Sequence, residues 1–144
     1  MGMIDVGEKP IVFREAEAEG TIYLKGETVE AIRLGDVRKG DPLVVAEVAA
    51  IQAAKQTSLL IPHCHQLPLD TVDVGFTVTG QGVTASCRVR TQARTGVEME
   101  ALVGVTNALN TVWDMVKYLE KDEAGQYPGT RITDIRVVRK QKGA

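Results

Sequence analysis

Residues 72–89, in the middle of the chain, read VDVGFTVTGQGVTASCRV. Apolar and polar residues alternate on both sides of the turn Gly80-Gln81-Gly82. The apolar positions are Val72, Val74, Phe76 and Val78 before the turn, and Val83, Ala85, Cys87 and Val89 after it. A period of two around a glycine-rich turn is typical of a β-hairpin with one apolar and one polar face. The stretch therefore predicts two paired antiparallel strands.

A helix is predicted on each side of this hairpin. Thr95 and Glu98 match the capping box S/T-x-x-E, which predicts a helix over residues 97 to about 121. Asp41-Pro42 supplies an N-cap and a first-turn proline, which predicts a helix that runs to about Lys55. The apolar stripe expected on this earlier helix consists of Val44, Val45, Val48 and Ile51.

The outermost segments are predicted to be strands. Residues 14–25 alternate between apolar and polar side chains, and residues 132–140 form the last strand; residues 28–34 form a short additional helix. The order is then βαββαβ, with the first helical region split. This order is typical of the α+β ferredoxin-like fold, a four-stranded antiparallel sheet with helices on one face. The open face is expected to carry Tyr23, Phe76 or their neighbours and to meet solvent or a partner.

The composition restricts the class of protein. The 144 residues, 44% hydrophobic and 25% charged, predict a single domain over 1–144 with short flexible termini. Seventeen Lys+Arg against nineteen Asp+Glu give a formal charge of -2, which argues against a nucleic-acid partner. An RNA-recognition domain would also need stacking aromatics, and only 4% of the residues are aromatic. Because no membrane span or secretory signal is visible, a cytoplasmic location is expected.

The segment Pro62-His63-Cys64-His65 has the residue types of a metal site but not the spacing. In an extended chain His63 and His65 point the same way and Cys64 points the opposite way. Structural zinc sites also need a fourth ligand, and both histidines of the chain lie in this segment. We therefore predict no metal. Pro62 and Pro68 stiffen the segment, which suits either presentation of His65 to a substrate or a merely structural loop.

The acidic residues of the long helix are candidates for proton transfer. At about 100° per residue, Glu100, Asp114 and Lys117 share the polar stripe, for which a solvated face is the simpler interpretation. Glu98 falls within the apolar arc, either as the third residue of the capping box or as a partly buried carboxylate with a raised pKa. Glu100 and Asp114 are about 21 Å apart along a straight helix. One small substrate meets both carboxylates only if a neighbouring subunit closes the distance.

Three cations have no unambiguous role. Lys39 precedes a helix N-terminus, where it could hold a phosphate or belong to a surface loop. Lys55 and Arg14, which lies on the apolar side of the first strand, are equally ambiguous. No GxxxxGK[ST], GxGxxG or GxSxG motif occurs. From these residues alone, a ferredoxin-like binding or regulatory module without chemistry remains the alternative to an enzyme.

Five motifs, in this order, resemble those of the MoaC family of molybdenum cofactor biosynthesis, the cyclic pyranopterin monophosphate synthases. They are KGD (39–41), IQAAK (51–55), LIPHCH (60–65), TGVEMEAL (95–102) and WDMVK (113–117). The resemblance covers residues 5–138, nearly the whole chain. The sequence departs from the family pattern at His63 and Gln66, where leucine and proline are more usual.

The resemblance implies an enzyme that works without a metal or organic cofactor. Its substrate would be 3',8-cyclo-7,8-dihydroguanosine triphosphate, and its products cyclic pyranopterin monophosphate and pyrophosphate. It also implies a homohexamer, a trimer of dimers with the site at the dimer interface. The implied catalytic residues are Asp114, Lys117 and Lys39. The implied substrate-binding residues are His63, Cys64, His65, Met99, Glu100, Glu98, Lys55 and Arg14.

Overall fold

A computed structural model describes residues 1–143 of the chain. In this part of the chain the order of elements is βαααββαβ, so the region between the first two strands holds three helices. The elements are β1 (Val12–Tyr23), α1 (Gly26–Leu34), α2 (Pro42–Lys55), α3 (Thr57–Leu60), β2 (Thr71–Thr79), β3 (Gly82–Ala93), α4 (Glu98–Glu120) and β4 (Arg131–Lys142). Ala144, the last residue of the predicted domain, lies outside the described residues.

The strands form one sheet in the order β2-β3-β1-β4, with every neighbouring pair antiparallel. This topology confirms the predicted α+β ferredoxin-like fold. β2 and β3 are joined by the predicted glycine-rich turn, and Val74 pairs with Cys87 in the register of the hairpin. The apolar positions of β3 are fully buried, and burial raises the pKa of the Cys87 thiol to about 12. The alternation over residues 72–89 thus predicted both the pairing and the buried face.

The helices cover one face of the sheet, with α4 against β1, β3 and β4, and α2 against α4 and β2. Gly104, in the middle of α4, lies where an added Cβ would be 2.6 Å from Cys87 Sγ and 3.4 Å from the carbonyl oxygen of Ala50. The helices and the sheet therefore approach each other too closely for a larger side chain at this point. This close approach fixes α4, the helix that carries most of the candidate site, against the sheet.

The buried face predicted for α2 is wrong. Val44, Val45 and Val48 are exposed, whereas the buried residues are Pro42, Ala46, Ala50, Ala53 and Ala54. Alanines face α4 because the two helices pack so closely that only small side chains fit between them. The valines point outward, and Leu59 and Leu60 of α3 are exposed as well.

Asp41 and Pro42 start α2 as predicted, with the Asp41 carboxylate accepting from the backbone N–H of Leu43 at 2.9 Å. The capping box predicted for α4 is wrong. This helix begins at Glu98 after Val97, whose φ and ψ are -115° and 25°, and no side chain caps it. Glu98 is therefore the first residue of the helix, where a negative charge is stabilised by the helix dipole.

The open face of the sheet is polar. Tyr23 lies on it as predicted, with the Arg131 guanidinium 4.2 Å from the centre of its ring. Phe76 does not lie on this face, because it pairs with the buried Ala85 and packs against the core. A period of two places Phe76 on the same side as Val74 and Val78. None of the helices among residues 1–143 has the length and hydropathy needed to cross a membrane.

Candidate active site

Helix α4 carries candidate site residues near both of its ends, and the structure divides the predicted residues into two groups. The first group, here called the Asp114 cluster, consists of Lys39, Asp114 and Lys117. The second group, here called the Glu100 cluster, consists of His63, Cys64, His65, Glu98, Met99 and Glu100. Glu100 and Asp114 lie about 21 Å apart along the axis of α4. Within one chain, the two clusters are therefore separate.

The Asp114 cluster is a carboxylate held between two ammonium groups. Lys39 Nζ lies 2.9 Å from Asp114 Oδ2, and Lys117 Nζ lies 3.2 Å from Asp114 Oδ1. Hydrogen bonds from Lys39 and then Lys117 lower the pKa of Asp114, so its carboxylate stays ionised. All three side chains are about half exposed, so a ligand can reach them. The pairing of Asp114 with Lys117 matches their spacing along the helix.

Lys39 reaches this cluster because its loop is attached to α4. The loop joins α1 to α2, and the backbone N–H of Arg38 donates to the Tyr118 hydroxyl at 2.9 Å. The Arg38 guanidinium also lies 4.7 Å from the centre of the Tyr118 ring, within cation–π range. Arg38 and Tyr118 therefore position Lys39 beside Asp114. Neither residue is predicted from the sequence, since nothing in the local pattern links a loop residue to a helix 80 residues later.

The Glu100 cluster is built around a buried carboxylate. Glu100 is only 3% exposed, and the Cys64 thiol donates a long hydrogen bond to Glu100 Oε2, with 3.9 Å between the atoms. The other oxygen, Oε1, is buried and has no hydrogen-bond partner among the described residues. Burial, and to a smaller extent the charge of Glu98, raises the pKa of Glu100. Burial and then the Glu100 charge also raise the pKa of Cys64.

The solvated polar stripe predicted for Glu100 is therefore wrong, because Cys64 and its neighbours lie over the first turn of α4. The buried carboxylate of this region is Glu100, whereas Glu98 lies at the edge of the cluster. The Glu98 side chain remains one-third exposed, and its Oε1 lies 3.7 Å from Lys140 Nζ on β4. It also folds back over Gly96, where an added Cβ would collide with the carboxylate. Lys140 is a further residue that the sequence analysis missed.

A cavity of about 520 Å³ opens beside the Glu100 cluster. The three residues of the His-Cys-His segment line it together with Glu98 and Met99. Its other wall comes from the N-terminal part of the chain, and His65 Nε2 lies 2.6 Å from the carbonyl oxygen of Ile4. The structure thus gathers six of the eight predicted substrate-binding residues around one cavity, since Glu100 borders it through its hydrogen bond with Cys64.

Arg14 and Lys55 lie elsewhere. Arg14 is buried on the apolar side of β1, as predicted, where Nη2 donates to the carbonyl oxygen of Arg94 at 3.1 Å and Nε to that of Ala93 at 3.5 Å. It thereby ties β1 to the segment that leads into α4. Lys55 is exposed as the last residue of α2 and forms no ion pair with another described residue.

The two clusters present acidic and cationic side chains in different environments. Over residues 1–143, no three or more His, Cys, Asp and Glu side chains are grouped so that they could hold a metal ion. What the arrangement offers is an ionised carboxylate between two lysines and, at the other end of the same helix, a buried carboxyl group. These two environments move the pKa values of two acidic groups in opposite directions, which is typical of paired acid and base catalysts.

Comparison with known proteins identifies the family. The model of the MoaC family matches residues 3–143. A protein of Thermococcus kodakarensis named "Probable cyclic pyranopterin monophosphate synthase" is 55% identical over 98% of this chain and 90% of its own length. One of the same name from Aeropyrum pernix is 56% identical over 99% of this chain and 97% of its own length. A protein of Methanothermobacter thermautotrophicus named "Probable cyclic pyranopterin monophosphate synthase accessory protein" is 52% identical over 97% of this chain and 88% of its own length. The chain belongs to the MoaC family.

Proposed function

We propose that this chain is a cyclic pyranopterin monophosphate synthase of molybdenum cofactor biosynthesis. It converts 3',8-cyclo-7,8-dihydroguanosine triphosphate into cyclic pyranopterin monophosphate and releases pyrophosphate. Membership of the MoaC family and the names of the relatives support this activity. The observation that carries it is the Asp114 carboxylate, ionised between the two ammonium groups of Lys39 and Lys117. A binding module without chemistry is not favoured, because the chain belongs to the MoaC family and its relatives carry the name of a synthase.

Asp114 and Glu100 are assigned to proton transfer. Conversion of a purine into a pterin opens a ring and moves several protons, so it needs one group that accepts a proton and one that donates it. The lowered pKa of Asp114 keeps it ionised as the base. The raised pKa of Glu100 favours its protonated form, which suits the acid. The opposite directions of the two pKa shifts support this division of roles.

Lys39 and Lys117 are assigned to the phosphate chemistry. Formation of the cyclic monophosphate requires attack on the innermost phosphorus, with pyrophosphate as the leaving group. Cations that neutralise the charge developing on the phosphoryl oxygens accelerate such a step. Each ammonium group carries three N–H donors, so a lysine that contacts Asp114 still has donors for a phosphate oxygen.

Eight site residues are proposed to bind the substrate, and Glu100 is among them in addition to its role in proton transfer. Their set is His63, Cys64, His65, Met99, Glu100, Glu98, Lys55 and Arg14. The cavity of about 520 Å³ beside the Glu100 cluster has a volume typical of small-molecule sites, which supports this assignment for most of the set. Arg14 has donors left after its two bonds to backbone carbonyls. Lys55 is exposed and available to an anionic group.

The active unit is proposed to be a homohexamer, a trimer of dimers with each site at a dimer interface. Two observations support assembly. The Glu100 and Asp114 clusters are too far apart in one chain to share a small substrate, so a neighbouring subunit must complete each site. The exposed valines of α2 and the exposed Leu59 and Leu60 also form apolar surface that another copy would cover. We further propose that the chain is one domain and acts in the cytoplasm.

The test is incubation of the purified protein with the cyclised guanosine triphosphate intermediate. Pyrophosphate is measured by a coupled assay, and the pterin is oxidised to a fluorescent product and quantified. The expected result is equal amounts of pyrophosphate and pterin. Binding of the intermediate without either product would contradict the proposed activity and favour a binding module.

A further inference from the structure

The N-terminal strap, defined here as residues 2–9, lies before β1 and crosses the His-Cys-His segment. Two hydrogen bonds within the strap shape it: the backbone N–H of Gly7 donates to Asp5 Oδ1 at 2.8 Å, and that of Lys9 donates to the carbonyl of Val6 at 3.0 Å. Among the described residues, the strap's one hydrogen bond to the rest of the chain joins His65 Nε2 to the carbonyl oxygen of Ile4. The strap is therefore attached to the body at a candidate site residue.

This contact lies at the edge of the cavity beside the Glu100 cluster. Gly2, Ile4 and Val6 of the strap line one side of that cavity, and His65 and its two predecessors line another. The Ile4 side chain itself is 74% exposed, so the strap is not held there by burial of that residue in the core. The backbone of the strap, rather than its side chains, makes the polar contact with the imidazole.

The chemistry of the two groups determines where the proton lies. A carbonyl oxygen only accepts hydrogen bonds, so His65 Nε2 must carry the hydrogen in the 2.6 Å contact. In a neutral imidazole the other nitrogen, Nδ1, then has a free lone pair and acts as an acceptor. The partner of one ring nitrogen thus fixes the role of the other, as it does for histidines that bind metals or act in catalysis.

We propose that the backbone carbonyl of Ile4 is a positioning group for His65, which holds the neutral ring in its Nε2–H form and presents Nδ1 as an acceptor for an N–H or O–H group of the substrate. The inference rests on the proposed function in one respect, that His65 binds the substrate. It adds that the imidazole recognises a donor on the substrate and that the strap is part of the site.

The position of the proton on the His65 ring can be measured without substrate. The chain has two histidines, so replacing one of them leaves the other as the single source of imidazole signals. In the His63→Gln variant, ¹⁵N labelling of histidine leaves His65 as the single imidazole. NMR spectra are compared, at a pH where the ring is neutral, between this protein and the same protein with residues 2–5 deleted. The expected result is a proton on Nε2 alone in the undeleted chain, and averaged signals of the two neutral forms in the deleted chain. The matched control, Ile4→Ala, keeps the backbone carbonyl and is expected to keep the Nε2–H signal.

A proton on Nδ1 in the undeleted chain, or ring signals that the deletion leaves unchanged, would overturn the inference. The first of these outcomes needs no deletion variant, so the test does not depend on whether that variant folds. Turnover provides a second measurement: the deletion is expected to raise KM about fivefold, the effect of one lost hydrogen bond between neutral groups, with a smaller change in kcat. Absence of turnover in the parent protein would contradict the proposed function. The NMR comparison would still test whether the carbonyl of Ile4 fixes the proton on His65, because it needs no substrate.

Discussion

Lys39 and Asp114 form an ion pair across 75 residues of sequence, with Lys39 Nζ 2.9 Å from Asp114 Oδ2 and 3.3 Å from the Asp114 backbone carbonyl oxygen. The contact joins the loop before α2 to α4. The Lys117 ammonium group lies beside the other carboxylate oxygen, Oδ1, so both oxygens of Asp114 contact a cation. A carboxylate in this setting stays ionised to a lower pH than an ordinary aspartate and lies beside the charges that a phosphate ligand needs.

Replacing Asp114 with asparagine tests its role as the base. Because the side chain is about half exposed, Asp114→Asn is expected to leave folding and assembly intact and to lower kcat at least about 100-fold, the lower range for loss of a general base. Pyrophosphate release measures the activity, and size-exclusion chromatography measures assembly. Glu123→Gln is the matched control, since Glu123 is an exposed acid outside both clusters. Full activity in Asp114→Asn would remove this residue from its assigned role.

The pH dependence of activity tests the link between Lys39 and Asp114. The hydrogen bond from Lys39 is the largest cause of the lowered pKa of Asp114. In Lys39→Gln the pKa of Asp114 rises towards its ordinary value, so the carboxylate becomes protonated at a higher pH. The acid limb of the kcat/KM profile is therefore expected to move to higher pH, in addition to an overall loss of rate. If the acid limb lies at the same pH in both proteins, Asp114 is not the group whose protonation causes the loss of activity.

The buried Glu100 is expected to make the folded state less stable as pH rises. Its pKa is raised by burial, so above the ordinary pKa of glutamate the folded state binds more protons than the unfolded state. Stability then falls as pH rises towards the folded-state pKa. Glu100→Gln removes this titration, so urea unfolding at fixed protein concentration should show a smaller loss of stability between pH 5 and pH 8. Turnover is expected to fall at least about 100-fold, since the proposed acid is absent.

Two results would count against this account of Glu100. An unchanged pH dependence of stability would mean that Glu100 titrates normally. Turnover equal to that of the parent protein would mean that another group donates the proton. Glu123→Gln again serves as the control for a change of charge at an exposed position.

Gly104 tests the close packing of α4 on the sheet. An alanine favours helix formation by about 1 kcal/mol over glycine. At this position, however, its Cβ would lie 2.6 Å from Cys87 Sγ. Gly104→Ala is therefore expected to lower the free energy of unfolding by about 1–3 kcal/mol, the range for an overpacked core. Cys87→Ala in the same chain should recover part of the loss, and Gly129→Ala, which meets open space, is the control. Greater stability in Gly104→Ala would contradict the proposed contact.

The exposed apolar face of α2 tests the proposed assembly. Val48 is 52% exposed, and Val48→Glu places a charge where another copy is proposed to pack. The expected result is a smaller species than the parent protein in light scattering, with a matching loss of turnover because each site needs two chains. Leu34→Glu is the control, since Leu34 is 72% exposed on a different helix. If size and activity are unchanged in Val48→Glu, this face of α2 is not part of the interface between copies.

Local patterns were sufficient to predict the elements of the fold except α3, the short helix at Thr57–Leu60. The alternation over residues 72–89 depends on neighbouring residues within each of two strands. Asp41 caps α2 through a backbone group two residues away. The pair Asp114–Lys117 was also predictable, because side chains three residues apart lie side by side on a helix. The start of α4 was not, since the capping box implied by Thr95 and Glu98 does not form.

The order of the strands, the ferredoxin-like topology and the presence of two acidic residues near opposite ends of α4 all follow from residue patterns along the chain. The environment of each acid depends on how distant segments pack together. Glu100 is buried because a segment 36 residues away covers it, and the pKa of Asp114 is lowered mainly because a lysine 75 residues away reaches it. Periodicity describes how side chains are arranged around one helix or strand, whereas burial and charge at a site depend on the other elements that pack there. The buried alanines of α2 and the contact between Ile4 and His65 have the same origin.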